Sequence, residues 1–187
     1  MSKFCFIVFV LISVASVELK AQDILSDTVP VDRLAVGVGA GYDFGGYGGN
    51  ATYYITKSFG VFAGGGYTPA GVGFNAGVKL RAVFNQQATP VMPFITAMYG
   101  YYAAIAPKNL SYLNKMFYGP TVGAGVDFRP KNSKTVYITG AILIPIRSSS
   151  AQQYINDVNN FQGAGYNGKL RVINGSIGVK FILFNQL

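Results

Sequence analysis

Between residues 71 and 84 the chain alternates with a period of two. Val72, Phe74, Ala76, Val78, Leu80, Ala82 and Phe84 fall on one side, and Gly71, Gly73, Asn75, Gly77, Lys79, Arg81 and Val83 on the other. Side chains of an extended strand point alternately to opposite faces, so this segment reads as a strand with one bulky apolar face and one small face that also holds the charges. The same division runs through 34–44, where Leu34, Val36, Val38, Ala40, Tyr42 and Phe44 oppose Ala35, Gly37, Gly39, Gly41 and Asp43. It recurs at 118–129, where Tyr118, Pro120, Val122, Ala124, Val126 and Phe128 oppose Gly119, Thr121, Gly123, Gly125, Asp127 and Arg129. A soluble barrel hides its large apolar side chains. Here the charges share a face with glycine, so the pattern reads inside out, with bulky groups toward lipid and Gly, Asn, Lys and Arg toward a lumen. That is the expected patterning of a transmembrane β-barrel.

The beginning of the chain agrees with export. Lys3, the apolar run 4–17 and Ala21 ahead of Gln22 read as a signal peptide over 1–21. The apolar run is shorter than the ~20 residues a helical span needs. The single cysteine, Cys5, lies inside this signal, which leaves the mature chain without a disulfide, a thiol nucleophile or a cysteinyl metal site. The formal net charge of +8 becomes +7 when Lys3, Glu18 and Lys20 leave with the signal. Lys and Arg are spread over strand ends, turns and the presumed lumen face and form no run, which argues against a nucleic-acid partner. They suit anionic lipid headgroups and lipopolysaccharide phosphates instead. A hydrophobic content of 50% with 24 glycines and 12% charged residues fits a chain that shows half its strand residues to lipid.

After a periplasmic lead-in at 22–32, residues 33–187 read as one barrel domain. Eight strands are expected, at about 33–44, 49–57, 59–67, 70–84, 91–105, 117–129, 135–146 and 169–184, most near or above the ~9–11 residues of a tilted membrane strand. With the amino terminus in the periplasm, the connections at 57–58, 85–90 and 130–134 lie inside. Those at 45–48, 68–69, 106–116 and 147–168 lie outside. The two longest are thus outer loops, and an even strand number closes an up-and-down antiparallel barrel with both termini on one side. Closure is also the physical expectation, because unpaired backbone groups at a sheet edge are costly in lipid. Aromatics gather near strand ends: Tyr42, Phe44, Tyr67, Tyr101, Tyr102, Phe117 and Tyr118 toward the outer rim, and Phe59, Phe84, Phe94, Phe128, Tyr137 and Phe184 toward the periplasmic rim. They read as two girdles at headgroup level.

Across essentially all of the mature region the chain resembles the small bacterial outer-membrane barrels of the OmpA/OmpX type. Its carboxy-terminal strand, Ser176-Ile177-Gly178-Val179-Lys180-Phe181-Ile182-Leu183-Phe184, is similar to the aromatic-ended segment that such proteins offer to the barrel-insertion machinery, although here Asn185-Gln186-Leu187 follow it. The resemblance implies an all-β, eight-stranded antiparallel up-and-down transmembrane β-barrel in the outer membrane of a Gram-negative-type cell envelope. It implies location and architecture more than activity.

Little in the sequence supports catalysis. The chain has no histidine, and after the signal every carboxylate is an Asp. Barrel enzymes of the deacylase, palmitoyltransferase, phospholipase and omptin types, which this class resembles in fold, work with a histidine. Ser133 between Lys131 and Lys134 reads as a polar turn. Asp157 beside Asn156, Asn159 and Asn160 carries too little charge for Ca²⁺ and reads as a solvated loop. Gly45-Gly46-Tyr47-Gly48-Gly49 lacks the helix and Lys-Ser/Thr of a phosphate loop. No cofactor and no metal are expected.

Two sets of residues remain as candidates. The lumen charges Lys79, Arg81, Asp127, Arg129 and Lys180 form either a salt-bridged plug, in which Asp127 finds a basic neighbour, or a narrow basic conduit for small anions or solutes. In the outer loops, Tyr112, Tyr154, Phe161 and Tyr166 stand among Asn, Gln and Ser. They suit contact with an extracellular or envelope protein partner, or form a lid over the mouth. The expectation is a non-enzymatic barrel with a structural or surface-interaction role through its long outer loops. The alternatives are a small porin-like pore and a soluble lipocalin-like barrel.

Overall fold

A computed structural model describes residues 31–83, 90–107, 110–130, 133, 135–160 and 170–185. The expected signal peptide, Phe84, Lys131, Lys134, Phe161 and Tyr166 lie outside the described residues. Eight strands form a single closed sheet: β1 (Asp32–Gly41), β2 (Gly46–Tyr54), β3 (Phe59–Thr68), β4 (Gly71–Arg81), β5 (Val91–Ile105), β6 (Lys115–Phe128), β7 (Val136–Pro145) and β8 (Asn174–Asn185). Each pairs antiparallel with the next, and β8 closes on β1 through pairs such as Gly37↔Lys180 and Val38↔Val179. The chain is thus the all-β, eight-stranded up-and-down barrel that the alternation implies.

The period of two sets the two faces as expected. Val38 is 62% exposed, Phe74 55% and Ile142 59%, each standing outward, while Asn75, Lys79, Arg81, Thr121, Asp127 and Lys180 are buried inside. A continuous belt of exposed Val, Ile, Leu and Phe is the reverse of a water-soluble surface. Among the described residues no helix is long and apolar enough to cross a membrane, a fact that leaves strands untouched.

Strand lengths differ around the barrel. The β5–β6 hairpin is the longest, running up to Ile105↔Lys115 past a bulge between Tyr101 and Ala103. The β1–β2 and β3–β4 hairpins are built from shorter strands and close at Gly41↔Gly46 and Thr68↔Gly71. The long β5–β6 hairpin forms the wall on one side of the loop end, and the tips of the shorter hairpins form the sill on the other.

Four expectations are corrected. First, β1 ends at Gly41 instead of continuing to Phe44. Residues Tyr42–Phe44 form a 3-10 turn that folds back into the barrel, and Gly45 closes it in the left-handed region at φ 73°. Phe44, expected on the lipid-facing side, is fully buried inside. The glycines of the small face make this space: a Cβ at Gly64 would strike the Asp43 carbonyl, and one at Gly178 the Phe44 ring. Second, Phe94, Tyr101, Tyr102 and Tyr137 are interior residues and belong to no girdle, whereas Tyr67, Tyr118, Phe59, Phe128 and Phe184 do face outward. Phe94, Tyr102 and Tyr137 fall on the inward parity of their strands, and Tyr101, on the outward parity, is buried at the β5 bulge. Third, the lead-in is shorter than 22–32, because Val31 and Asp32 are buried at the start of β1. Fourth, the 147–168 connection contains a helix, α1 (Ser149–Asn160), and β8 begins at Asn174 instead of 169. Ala151, Ile155 and Val158 are its buried residues, spaced four and three apart along one helical face. Asn156, Asp157, Asn159 and Asn160 lie on this helix and do not form a solvated loop.

Candidate functional site: the filled interior and the loop end

At the end of the barrel where β1 begins and β8 ends, Asp32 is the hub. Arg81 Nη1 meets its Oδ1 at 2.5 Å and Arg129 Nη2 meets the same oxygen at 3.2 Å. Tyr137 donates its hydroxyl to Oδ2 at 3.4 Å. Arg81 also donates to the Asp32 carbonyl at 2.9 Å and to the Lys57 carbonyl at 2.8 Å, and its guanidinium lies 3.3 Å over the Tyr54 ring. Two guanidinium groups on one carboxylate, packed on tyrosine rings, satisfy charges that would otherwise be very costly to bury.

The next layer is Lys79 with Asp127. The ammonium lies 2.8 Å from both carboxylate oxygens and 3.5 Å from the centre of the Phe94 ring. Asp127 thus has the basic neighbour expected of it. Above it Lys180 donates to Asn50 Oδ1 at 2.8 Å and to Thr52 Oγ1 at 2.6 Å. Then comes the folded-in turn. Asn50 donates to the Asp43 carbonyl at 2.6 Å, Asn75 donates to the Tyr42 carbonyl at 2.6 Å, and the Ser176 hydroxyl donates to the Asp43 carboxylate.

All five expected lumen charges are therefore inside, and they are brought together with Asp43, which alternation put on the small face, and with Asp32, which the reading from sequence left in the lead-in. Four cations face three carboxylates among the described residues, so the interior is close to charge balance. It is also filled: the cavity between Asp43, Asn50, Lys79, Phe94 and Lys180 has a volume of about 10 Å³, the room of one water molecule.

At the loop end, α1 lies over the wall. Its Ala151 packs with Tyr102, Ala103, Phe117 and Leu170. Tyr154 donates its hydroxyl to the Leu113 carbonyl at 2.9 Å, its ring sits 5.7 Å from that of Phe117, and Lys115 lies 4.5 Å from its centre. Tyr154 is thus a clasp between the two long loops, whereas Tyr112 stands 71% exposed. Tyr42 ties the folded-in turn to the wall by donating to the Tyr102 carbonyl. Burial pushes the Tyr42 hydroxyl above its usual range against the pull of Arg147, which hydrogen-bonds to it. The hydroxyl therefore stays protonated and can donate and accept at once.

No group of three or more Asp side chains that could hold a metal ion occurs among the described residues. A comparison with models of known protein families finds none that matches this chain, and a comparison with curated protein sequences finds no match either.

Proposed function

We propose that this chain is a non-enzymatic outer-membrane β-barrel that works at the cell surface through its loop end. The observation that carries the membrane reading is the exposed apolar belt around a closed barrel that buries Asp32, Lys79, Arg81, Asp127, Arg129 and Lys180 in its interior. The filled interior supports a surface role over conduction. Two ionic layers and a folded-in turn occupy the path a solute would take, and the cavity between Lys79 and Lys180 is the room of one water. The asymmetry of the loops points the same way, since α1 and the 106–114 connection concentrate at one end the surface not committed to the barrel wall.

A strain lacking the protein, complemented either with the full chain or with a variant in which 149–160 is replaced by a short Gly-Ser linker, tests this reading. The expected result is a variant that still folds as a barrel in the envelope but fails to restore the surface phenotype. Full restoration by the shortened variant would contradict the role of the loops. In planar bilayers the full chain should carry no steady current, and neither should Lys79→Glu; a current altered by that substitution would reinstate the pore.

A further inference from the structure

Among the described residues, two adjoining cavities lie at the loop end. The larger, about 570 Å³, lies over the sill. Tyr42, Tyr101 and Ala104 line its inner side, and Tyr47, Tyr67 and Ile177 its rim. The three rim residues are 75%, 64% and 64% exposed on the outer face, so the cleft passes from the mouth onto the apolar belt. The smaller, about 180 Å³, is lined by Tyr102, Ile155, Arg147, Arg171 and Asn174. Tyr42 and Ala104 line both, which makes the two chambers adjoin.

Their characters are opposite. The large chamber is aromatic and apolar, without a charged side chain on its lining. The small one is lined by two arginines, Arg147 half-buried and Arg171 exposed, and by no carboxylate. Arg147 hydrogen-bonds to the Tyr42 hydroxyl and gives an Nη2 hydrogen bond to the Arg171 carbonyl, while its Nε is buried with no hydrogen-bond partner. A buried cationic donor left unsatisfied costs free energy that an anionic acceptor would recover. Guanidinium groups favour phosphate and carboxylate because they can bind them through two parallel N–H donors.

We infer that the joined chambers bind an anionic amphiphile. Its phosphate or carboxylate head sits at Arg147 and Arg171, and its alkyl body runs past Tyr42 and Tyr101 over the sill toward Tyr47 and Tyr67. Convergent polar groups at one end of a mostly apolar cleft fix the orientation of such a ligand. The inference goes beyond the surface-contact reading and does not require a protein partner.

The test holds the full barrel in micelles of an uncharged maltoside detergent and titrates it with dodecyl phosphate, followed by ³¹P NMR against empty micelles. Saturable one-to-one binding is expected, weakened about tenfold or more by R147Q/R171Q and largely kept by R147K/R171K, which preserves the charge. Inorganic phosphate, lacking the body, and dodecyltrimethylammonium, with the opposite head, should each bind at least about tenfold more weakly. Unchanged affinity in a folded R147Q/R171Q barrel overturns the inference, as does inorganic phosphate binding as tightly as dodecyl phosphate. If R147Q/R171Q does not fold, A104F, which fills the junction of the chambers, decides: lost binding supports the site and unchanged binding overturns it.

Discussion

Arg81, the last residue of β4, reaches across the barrel to Asp32, the first residue of β1, and the two meet at 2.5 Å. The contact ties together strands on distant parts of the wall and, through Arg129 and Tyr137, closes the terminal end of the interior. Removing the hub alone takes away the carboxylate on which two buried guanidinium groups converge. Asp32→Ala should therefore destabilise the barrel by about 3–5 kcal/mol, read as the loss of unfolding free energy in denaturant. Replacing the set together (D32L/R81M/R129M) should restore most of that loss. A single Asp32→Ala variant as stable as the parent would show that the cluster contributes little.

Lys79 and Lys180 look equivalent in the sequence but are not equivalent in the barrel. Lys79 is paired with Asp127, whereas Lys180 makes no ion pair among the described residues and rests on Asn50 and Thr52. Lys79→Met strands a buried carboxylate and should cost about 3–5 kcal/mol. Lys180→Met removes a buried charge whose partners are neutral, and should cost under about 1 kcal/mol or stabilise. Side-by-side denaturant curves check the order, and a larger loss for Lys180→Met would contradict it.

Phe44 and Tyr47 lie three residues apart on opposite sides of the wall. Phe44→Ala empties the centre of the folded-in turn and should cost about 3–5 kcal/mol. Tyr47→Ala, on the exposed rim, should cost under about 1 kcal/mol in detergent. Gly178→Val should behave like Phe44→Ala, because its side chain claims the space of the same ring. Equal tolerance of Phe44→Ala and Tyr47→Ala would mean that the turn does not pack inside.

What the sequence made legible follows from parity. Once Lys79 and Arg81 are placed on the small face of β4, and Asp127 and Arg129 on that of β6, their burial inside a closed sheet follows from alternation alone. Parity fails where the chain leaves the strand. Tyr42 and Phe44 continue the rhythm of β1 on paper, yet Gly41, at φ 140°, and Gly45 turn the backbone inward between them. The glycines opposite, Gly64 and Gly178, were the available signal, since an interior without side chains must be filled by something else. Asp32 was hidden by its position beside Pro30 and Val31, which reads as a lead-in. Helix α1 was hidden by its polar composition, although Ala151, Ile155 and Val158 carry helical spacing in plain view.

The Tyr154 clasp predicts a local effect without a global one. Tyr154→Phe removes the hydrogen bond to the Leu113 carbonyl, worth about 0.5–1.5 kcal/mol. Limited proteolysis should cut within 147–173 faster in this variant while the barrel fragment keeps its resistance. Identical cleavage rates would show that the two loops are not held by this contact.

The inside-out barrel is the claim on which the rest stands, and it is tested most directly by envelope fractionation with gel electrophoresis of the unheated and boiled protein. The account predicts recovery in the outer-membrane fraction, release only by detergent, and a compact unheated band that slows on boiling as the closed sheet opens. Recovery in the soluble fraction, with no change of mobility on boiling, would contradict it.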